Sequence, residues 1–167
     1  MHNIKTVIQA VVLLGKYSIF KVSQENLQQG LLKVVSNTGL AGRWQILHEQ
    51  PLVICDTAHN FDGLKTVTKQ IDTVNYDHLH IVLGFVNDKN LQDILLLFPQ
   101  NAKYYFCKPD IPRGLDNIQL QELALKLGLK GNTHNSVSEA YEAAFKNASV
   151  KDFIFIGGST FVVAEII

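Results

Sequence analysis

The sequence has little cysteine and no excess of charge of either sign. Its two cysteines, Cys55 and Cys107, lie inside apolar runs without the spacing of metal ligands, so neither a disulfide scaffold nor a zinc site is indicated. Fifteen basic residues balance fifteen acidic ones, and a neutral molecule does not attract nucleic acid or an anionic membrane through its overall field. We therefore predict a cytoplasmic protein with no nucleic-acid or membrane partner, whose ligands bind at local sites.

Long apolar runs and phosphate-binding motifs are also missing. The apolar segment from Ile4 to Leu14 is short and is interrupted by polar residues, so it is typical of an amphipathic helix and not of a signal peptide or membrane span. No Gly-x-x-x-x-Gly-Lys-Ser/Thr motif occurs, and no carboxylates are spaced to hold Mg²⁺ beside a triphosphate. A complete phosphoryl-transfer site is therefore not expected within these residues.

Two helical patterns come first. Apolar residues recur at helical spacing over residues 4–14 and again over residues 27–35, the second set following Ser23 as a possible N-cap. The turn-forming residues 36–39 then interrupt the pattern, and the rhythm changes to short apolar runs. We place a domain boundary there, with residues 1–38 and 39–167 on its two sides.

Residues 39–167 alternate buried strands with amphipathic helices. Four short, nearly continuous apolar runs are typical of parallel strands covered on both faces: residues 52–55, 79–83, 104–107 and 153–156. The helical patterns between them give the order βαβαβααβα, which requires right-handed crossovers. We predict an α/β, Rossmann-like fold with a mostly parallel sheet, helices on both of its faces, and two leading helices that belong to a preceding domain.

Polar residues follow each predicted strand. They are Asp56-Thr57-Ala58-His59-Asn60, Gly84 to Lys89, Lys108 to Asp110, and Gly157-Gly158-Ser159. Ligands of open parallel sheets bind outside the carboxyl ends of the strands, and these ends share one edge. We therefore expect a site along that edge.

Each of these residues also has a structural interpretation. The Asp56 carboxylate could accept hydrogen bonds from a pair of ribose hydroxyls, but aspartate is equally favoured as a helix cap. His59 could pair with a carboxylate or simply stabilise a turn, and the glycines of residues 157–159 could approach an anion or only form a tight turn. Arg43 could reach a nucleotide or lie on the surface, and the pair Asp88-Lys89 fits an exposed salt bridge better than a ligand contact.

The spacing of the histidines in the sequence does not indicate a metal site. His78 and His80 alternate along a predicted strand and would face the same side, as two metal ligands can. No third ligand is evident in the sequence. The sequence therefore predicts no metal site in this chain.

One combination of motifs is more specific than its parts. It comprises Gly42-Arg43-Trp44, then Asp56-Thr57-Ala58-His59-Asn60 with Gly63, then Gly84 to Lys89, then Gly157-Gly158-Ser159 with Glu165. In this order the motifs resemble the C-terminal domain of folylpolyglutamate synthase and bifunctional dihydrofolate synthase, relatives of the cell-wall Mur ligases. Residues 1–38 resemble the last two helices of the central ATPase domain of that family.

The resemblance implies an ATP-dependent amide ligase. A carboxylate of dihydropteroate or a folate would be phosphorylated to an acyl phosphate, which the amino group of L-glutamate then attacks. By position, Asn3, Arg43 and Asp56 would contact ATP, and His59 and Ser159 would hold the glutamate. No catalytic residue is expected in this segment, and the Mg²⁺ ligands and the N-terminal ATPase domain would lie outside it, so this chain alone would be inactive.

Two other functions remain open at this point. The chain could be a standalone nucleotide-binding or regulatory α/β module of flavodoxin-like form that performs no chemistry, or the C-terminal domain of a peptidoglycan Mur ligase. Met1, followed directly by a helix that the family places inside a domain, suggests an excised fragment or the product of a split gene.

Overall fold

The computed structural model describes residues 2–87 and 91–167, so the predicted exposed salt bridge of Asp88 and Lys89 lies outside the described residues. Contacts divide the chain into two compact units, residues 1–41 and 42–167. The boundary predicted from sequence follows residue 38, a few residues earlier. The assignment of the leading helices to a central ATPase domain stays a prediction.

The described residues of the first unit, 2–41, form three helices, α1 (His2–Tyr17), α2 (Gln24–Leu32) and α3 (Val34–Thr38). Ser23 caps α2 as predicted, because its hydroxyl accepts a hydrogen bond from the Asn26 N–H at 3.1 Å. The predicted second helix is divided at Lys33, whose backbone leaves the helical conformation. No helix in the described part of the chain is both long and apolar enough to cross a membrane.

Residues 42–167 form a six-stranded sheet. Its strands are β1 (Gln45–Glu49), β2 (Leu52–Cys55), β3 (Leu79–Leu83), β4 (Lys103–Cys107), β5 (Gly131–His134) and β6 (Phe153–Gly157). Their order across the sheet is β1-β2-β6-β3-β4-β5, and every neighbouring pair is parallel except β1 and β2. The predicted Rossmann-like, mostly parallel sheet is confirmed.

In the described parts of the second unit, residues 42–87 and 91–167, five helices cover the two faces of this sheet. They are α4 (Phe61–Ile71), α5 (Leu91–Leu95), α6 (Asn117–Lys126), α7 (Val137–Asn147) and α8 (Thr160–Ala164). One buried cluster contains apolar residues of α4, α5 and α6, and a second contains those of α7 and α8. Strand β2 shows the alternation, since Ile54 joins the first cluster while Val53 and Cys55 join the second. Burial on both faces explains the continuous apolar runs.

The structure adds two strands that the sequence did not predict, β1 and β5, and they form the two edges of the sheet. Strand β1 runs antiparallel to β2, with Gln45 opposite Cys55. The beginning of β1 therefore lies beside the carboxyl end of β2. This places the residues just before β1 at the edge where a site was predicted.

Candidate functional site

Asp56 lies directly after β2, and its carboxylate is buried, the residue being 5% exposed. Its backbone N–H donates to the Ile156 carbonyl at 3.1 Å, which joins the carboxyl end of β2 to β6. Oδ1 accepts from the Ala58 N–H and Oδ2 from the Trp44 N–H, each at 2.8 Å. Arg43 completes the group, with its guanidinium nitrogen 3.9 Å from Oδ1.

Helix α4 begins without help from Asp56. Asn60 is its N-cap, since the side-chain oxygen accepts from the Gly63 N–H at 2.8 Å. The helix-cap interpretation of Asp56 is therefore wrong. Between the two, His59 is exposed, and its Nδ1 donates to the Thr57 carbonyl at 3.1 Å, because a carbonyl can only accept. This bond leaves Nε2 free for a ligand.

The turn after β6 meets the same segment. Gly158 has φ of +93°, and a Cβ there would lie 2.6 Å from the Gly84 carbonyl oxygen, so the turn requires glycine. Ser159 is 2% exposed and caps α8, accepting from the Phe161 N–H at 3.2 Å. The next residue reaches across, because Thr160 Oγ1 donates to the Thr57 carbonyl at 3.4 Å. The ends of β2 and β6 thus lie together, as predicted.

Arg43 comes from the segment before β1. Its side chain is 59% exposed, so it is accessible to a ligand. The neighbouring Gly42 has φ of +70°, and its carbonyl accepts from the Thr57 N–H at 2.8 Å. A Cβ at Gly42 would lie 2.6 Å from Thr57 Cγ2, so the close approach of the two segments also needs glycine.

Asn3 is the predicted site residue that lies in the other unit. It belongs to α1, and its side chain is exposed. The other four, Arg43, Asp56, His59 and Ser159, all lie at one edge of the sheet in residues 42–167.

A cleft of about 670 Å³ opens elsewhere along that edge, beyond β4 and β5. It is lined by Lys108, Pro109, Asp110, Ile111, Pro112, Asn135, Ser136, Ser138 and Glu165. Glu165 stabilises one wall of the cleft, because its Oε1 accepts a hydrogen bond from the Asp110 N–H at 2.8 Å. The sequence indicated this region only through the polar residues after β4 and did not predict the contribution of α7.

His80 has a structural role in residues 42–167. His78 lies before β3, not on it, so the predicted alternation along one strand is wrong. His80 is fully buried, with Nδ1 3.0 Å from the Tyr105 hydroxyl and Nε2 3.3 Å from the Asp152 carboxylate. Among residues 2–87 and 91–167, no three His, Cys, Asp or Glu side chains are grouped to hold a metal ion.

Both thiols are free and buried, as their positions inside apolar runs would suggest. Burial raises the pKa of Cys55 to about 11, with a further contribution from the charge of Asp56. Burial likewise raises the pKa of Cys107 to about 12, helped by Glu165. At neutral pH both are therefore protonated and unsuited to act as nucleophiles.

Several known proteins have sequences similar to that of this chain. The probable bifunctional folylpolyglutamate synthase/dihydropteroate synthase of Haloferax volcanii is 32% identical over 145 residues, which are 86% of this chain and 17% of that protein. The dihydrofolate synthase/folylpolyglutamate synthase of Escherichia coli is 30% identical over 148 residues, covering 87% of this chain and 33% of that enzyme. A UDP-N-acetylmuramoyl-L-alanyl-D-glutamate–2,6-diaminopimelate ligase of Halalkalibacterium halodurans is 27% identical over 169 residues, covering 89% and 34%.

Solved structures of proteins with similar names superpose on this chain. Escherichia coli FolC in complex with ADP, without folate substrate, superposes with a TM-score of 0.84 at 27% identity, covering 98% of this chain and 38% of that one. A bifunctional folylpolyglutamate synthase/dihydrofolate synthase with Mn, AMPPNP and L-glutamate bound gives 0.78 at 27% identity, covering 93% and 36%. The chain thus spans about a third or less of each of these proteins.

A family match covers most of residues 42–167. It is to the Mur ligase, glutamate ligase domain, over residues 42–160. These residues include the whole sheet, the segment around Arg43, and the turns that carry Asp56, His59 and Ser159. The chain belongs to the Mur ligase family through its glutamate ligase domain.

Proposed function

We propose that this chain is the C-terminal portion of a cytoplasmic, ATP-dependent amide ligase that adds L-glutamate to dihydropteroate or a folylpolyglutamate through an acyl phosphate. The observation that carries the proposal is the placement of Arg43, Asp56, His59 and Ser159 at one sheet edge, in a chain similar to FolC in complex with ADP. The chain supplies one side of the site, and an N-terminal ATPase domain supplies the other.

In this proposal Arg43 and Asp56 face ATP. The guanidinium of Arg43 is largely exposed, and its forked donors suit phosphate oxygens. The Asp56 carboxylate lies just behind it, where a remaining lone pair can accept a ribose hydroxyl. Asn3, at the beginning of α1, is proposed as a further ATP-contacting residue.

The glutamate would bind at His59 and Ser159. Because Nδ1 of His59 donates to the Thr57 carbonyl, the ring offers Nε2 to a ligand, and pairing with a carboxylate requires the imidazolium form. The Ser159 hydroxyl accepts from Phe161 and keeps its own proton to donate. Holding both carboxylates in this way leaves the amine free to meet the acyl phosphate, and such orientation lowers the barrier to reaction.

Mg²⁺ is proposed to bind outside this chain. The described residues contain no cluster of three potential ligand side chains, and the sequence has no P-loop. What residues 42–167 contribute is therefore binding and orientation of ATP and glutamate. Phosphoryl transfer is assigned to the ATPase domain.

A peptidoglycan ligase is less well supported. The relative with that activity is 27% identical, whereas the folate ligases of Haloferax volcanii and Escherichia coli reach 32% and 30% over comparable lengths. A standalone module without catalysis would bind nucleotide tightly by itself, so nucleotide binding by the purified chain distinguishes it from a ligase portion.

The test is a hybrid enzyme. Residues 1–167 replace the matched third of the Escherichia coli relative, and ATP-dependent incorporation of labelled glutamate into dihydropteroate and tetrahydrofolate is measured. We expect the hybrid to ligate glutamate and the chain alone to have no ligase or ATPase activity. ATP hydrolysis by the purified chain, or tight nucleotide binding undiminished by Asp56→Ala, would contradict the proposal.

Within the active hybrid, Arg43→Ala should raise KM for ATP about tenfold or more, because a charged hydrogen bond to phosphate contributes about 1.5–3 kcal/mol. Arg43→Lys should recover part of the loss, since a point charge remains without the fork. Lys126→Ala, at the end of α6, is the control for removing one positive charge and should leave KM unchanged. Equal KM values in all variants would remove Arg43 from the nucleotide site.

A further inference from the structure

The Asp56 carboxylate connects two chain segments through backbone groups. Oδ2 accepts from the Trp44 N–H and Oδ1 from the Ala58 N–H, both at 2.8 Å, and the residue is 5% exposed. The Trp44 bond spans twelve residues and joins the beginning of β1 to the end of β2. Much of the acceptor capacity of Asp56 is therefore used to fix the protein itself.

Trp44 needs such a partner. Its φ is +45°, in the left-handed region that residues with a side chain rarely adopt and that persists only where the surroundings determine it. Its indole packs against Phe153 and Phe155, with ring centroids 6.5 and 6.4 Å away. Packing fixes the side chain, and the bond to Asp56 fixes the amide.

Arg43 lies between two anchored peptide groups. On one side the Gly42 carbonyl accepts from the Thr57 N–H at 2.8 Å, and on the other the Trp44 N–H donates to Asp56. The guanidinium is 3.9 Å from Oδ1, beyond hydrogen-bond distance, so its donors stay available while it remains near the negative charge of the carboxylate. The backbone is thus fixed and the side chain is exposed.

We propose that Asp56 is a positioning residue, which holds the backbone of residues 42–44 so that Arg43 is presented to the nucleotide. The inference rests on the proposed function, from which it takes the ATP contact of Arg43. It assigns Asp56 an effect on ATP binding that passes through Arg43, in addition to the proposed ribose contact of its carboxylate.

The first experiment uses the 167-residue chain without nucleotide. Amide hydrogen exchange and ¹⁵N relaxation are measured by NMR for wild type, Asp56→Ala and Asp56→Asn. We expect exchange of the Trp44 amide to accelerate about tenfold or more in Asp56→Ala, as for loss of one hydrogen bond, and backbone order at Arg43 to fall. Asp56→Asn, which keeps one acceptor oxygen, gives an intermediate effect if the alanine variant does not fold.

Asp116→Ala is the matched control. Asp116 also accepts two backbone N–H groups, those of Ile118 and Gln119, at the beginning of α6. Its removal should weaken protection in α6 and leave Trp44 and Arg43 unchanged. Equal protection of Trp44 with and without the Asp56 carboxylate would overturn the inference.

The second experiment is a double-mutant cycle in the active hybrid enzyme. Arg43→Ala and Asp56→Ala should each raise KM for ATP, the double variant should raise it by less than the two single effects combined, and KM for glutamate should stay unchanged. Additive effects on KM for ATP would overturn the positioning role and leave the proposed function intact. An unchanged KM in Arg43→Ala would overturn the ATP contact itself, and this inference with it.

Discussion

At the scale of single residues, the buried pair of His80 and Asp152 is expected to contribute to the response of the fold to acid. Burial lowers the pKa of His80, and this effect outweighs the bond and charge of Asp152, which act to raise it. Burial raises the pKa of Asp152, but the Ser149 N–H and His80 together bring it below its ordinary value. The pair therefore consists of a neutral imidazole that donates to a carboxylate.

We predict that acid destabilises residues 42–167 through His80. A lowered pKa means that the unfolded chain binds the proton first, so stability is complete above the ordinary value of 6.5 and falls as the pH drops below it. The loss approaches about 1.4 kcal/mol per pH unit for one proton. Asp152 adds a second loss, below its ordinary value of 3.8.

The measurement is urea unfolding between pH 7 and 5, followed by fluorescence of Trp44, the single tryptophan. His80→Gln removes the titrating group and should flatten the dependence on pH in this range. His59→Gln removes an exposed histidine and should leave the slope as in wild type. A wild-type slope in His80→Gln would show that other groups cause the acid response.

At the scale of secondary-structure elements, a strand could be predicted from the sequence only where it forms a continuous apolar run. Strands β2, β3, β4 and β6 were found from the sequence because they are buried on both faces. Strand β1 lies at an edge and exposes Ile46, while β5 reads Gly-Asn-Thr-His and has no apolar run at all. Edge strands are stabilised mainly by backbone hydrogen bonds to one neighbouring strand. Such pairing cannot be predicted from the pattern of side chains along the sequence.

The residues of the candidate site could likewise be predicted only in part. Because parallel strand ends meet at one edge, Asp56, His59 and Ser159 could be grouped from the sequence alone. The division of roles between Asp56 and Asn60 could not, since both types are favoured at helix starts and only Asn60 lies within reach of the Gly63 amide. The bond from Trp44 to Asp56 was missed because it depends on the undetected strand β1.

Strand β5 gives a direct test of close backbone packing. A Cβ on Gly131 would overlap the Tyr104 carbonyl oxygen, so Gly131→Ala should destabilise residues 42–167 by about 2 kcal/mol. Asn132→Ala, at an exposed neighbouring position of the same strand, is the control and should change stability by less than about 0.5 kcal/mol. Both are measured by urea unfolding, and equal stabilities would contradict the packing described here.

At the scale of the whole molecule, the two units differ in how much they bury. Residues 42–167 contain both buried clusters, whereas none of residues 3–41, whose side chains the structure describes, is buried. Several large apolar side chains of α1 are at least 40% exposed, among them Ile4, Val7 and Leu14. A segment of about 40 residues without a core is not expected to be stable alone.

We therefore predict that residues 42–167 fold without the leading helices. A protein consisting of these residues should give a cooperative thermal transition and well-dispersed NMR spectra. A peptide of residues 1–41 should show little helix by circular dichroism in water, because short helices without packing are marginal. A helical, cooperatively melting 1–41 peptide would contradict this difference between the units.

The reversed direction of β1 affects how sites in such sheets are found. In a wholly parallel sheet, each functional loop follows a strand, so a search can move along the chain from one strand end to the next. An antiparallel edge strand inverts this rule locally, because the residues before it reach the same edge. In relatives with this sheet order, a charged residue just upstream of the first strand is therefore as strong a candidate for ligand contact as one in any loop that follows a strand.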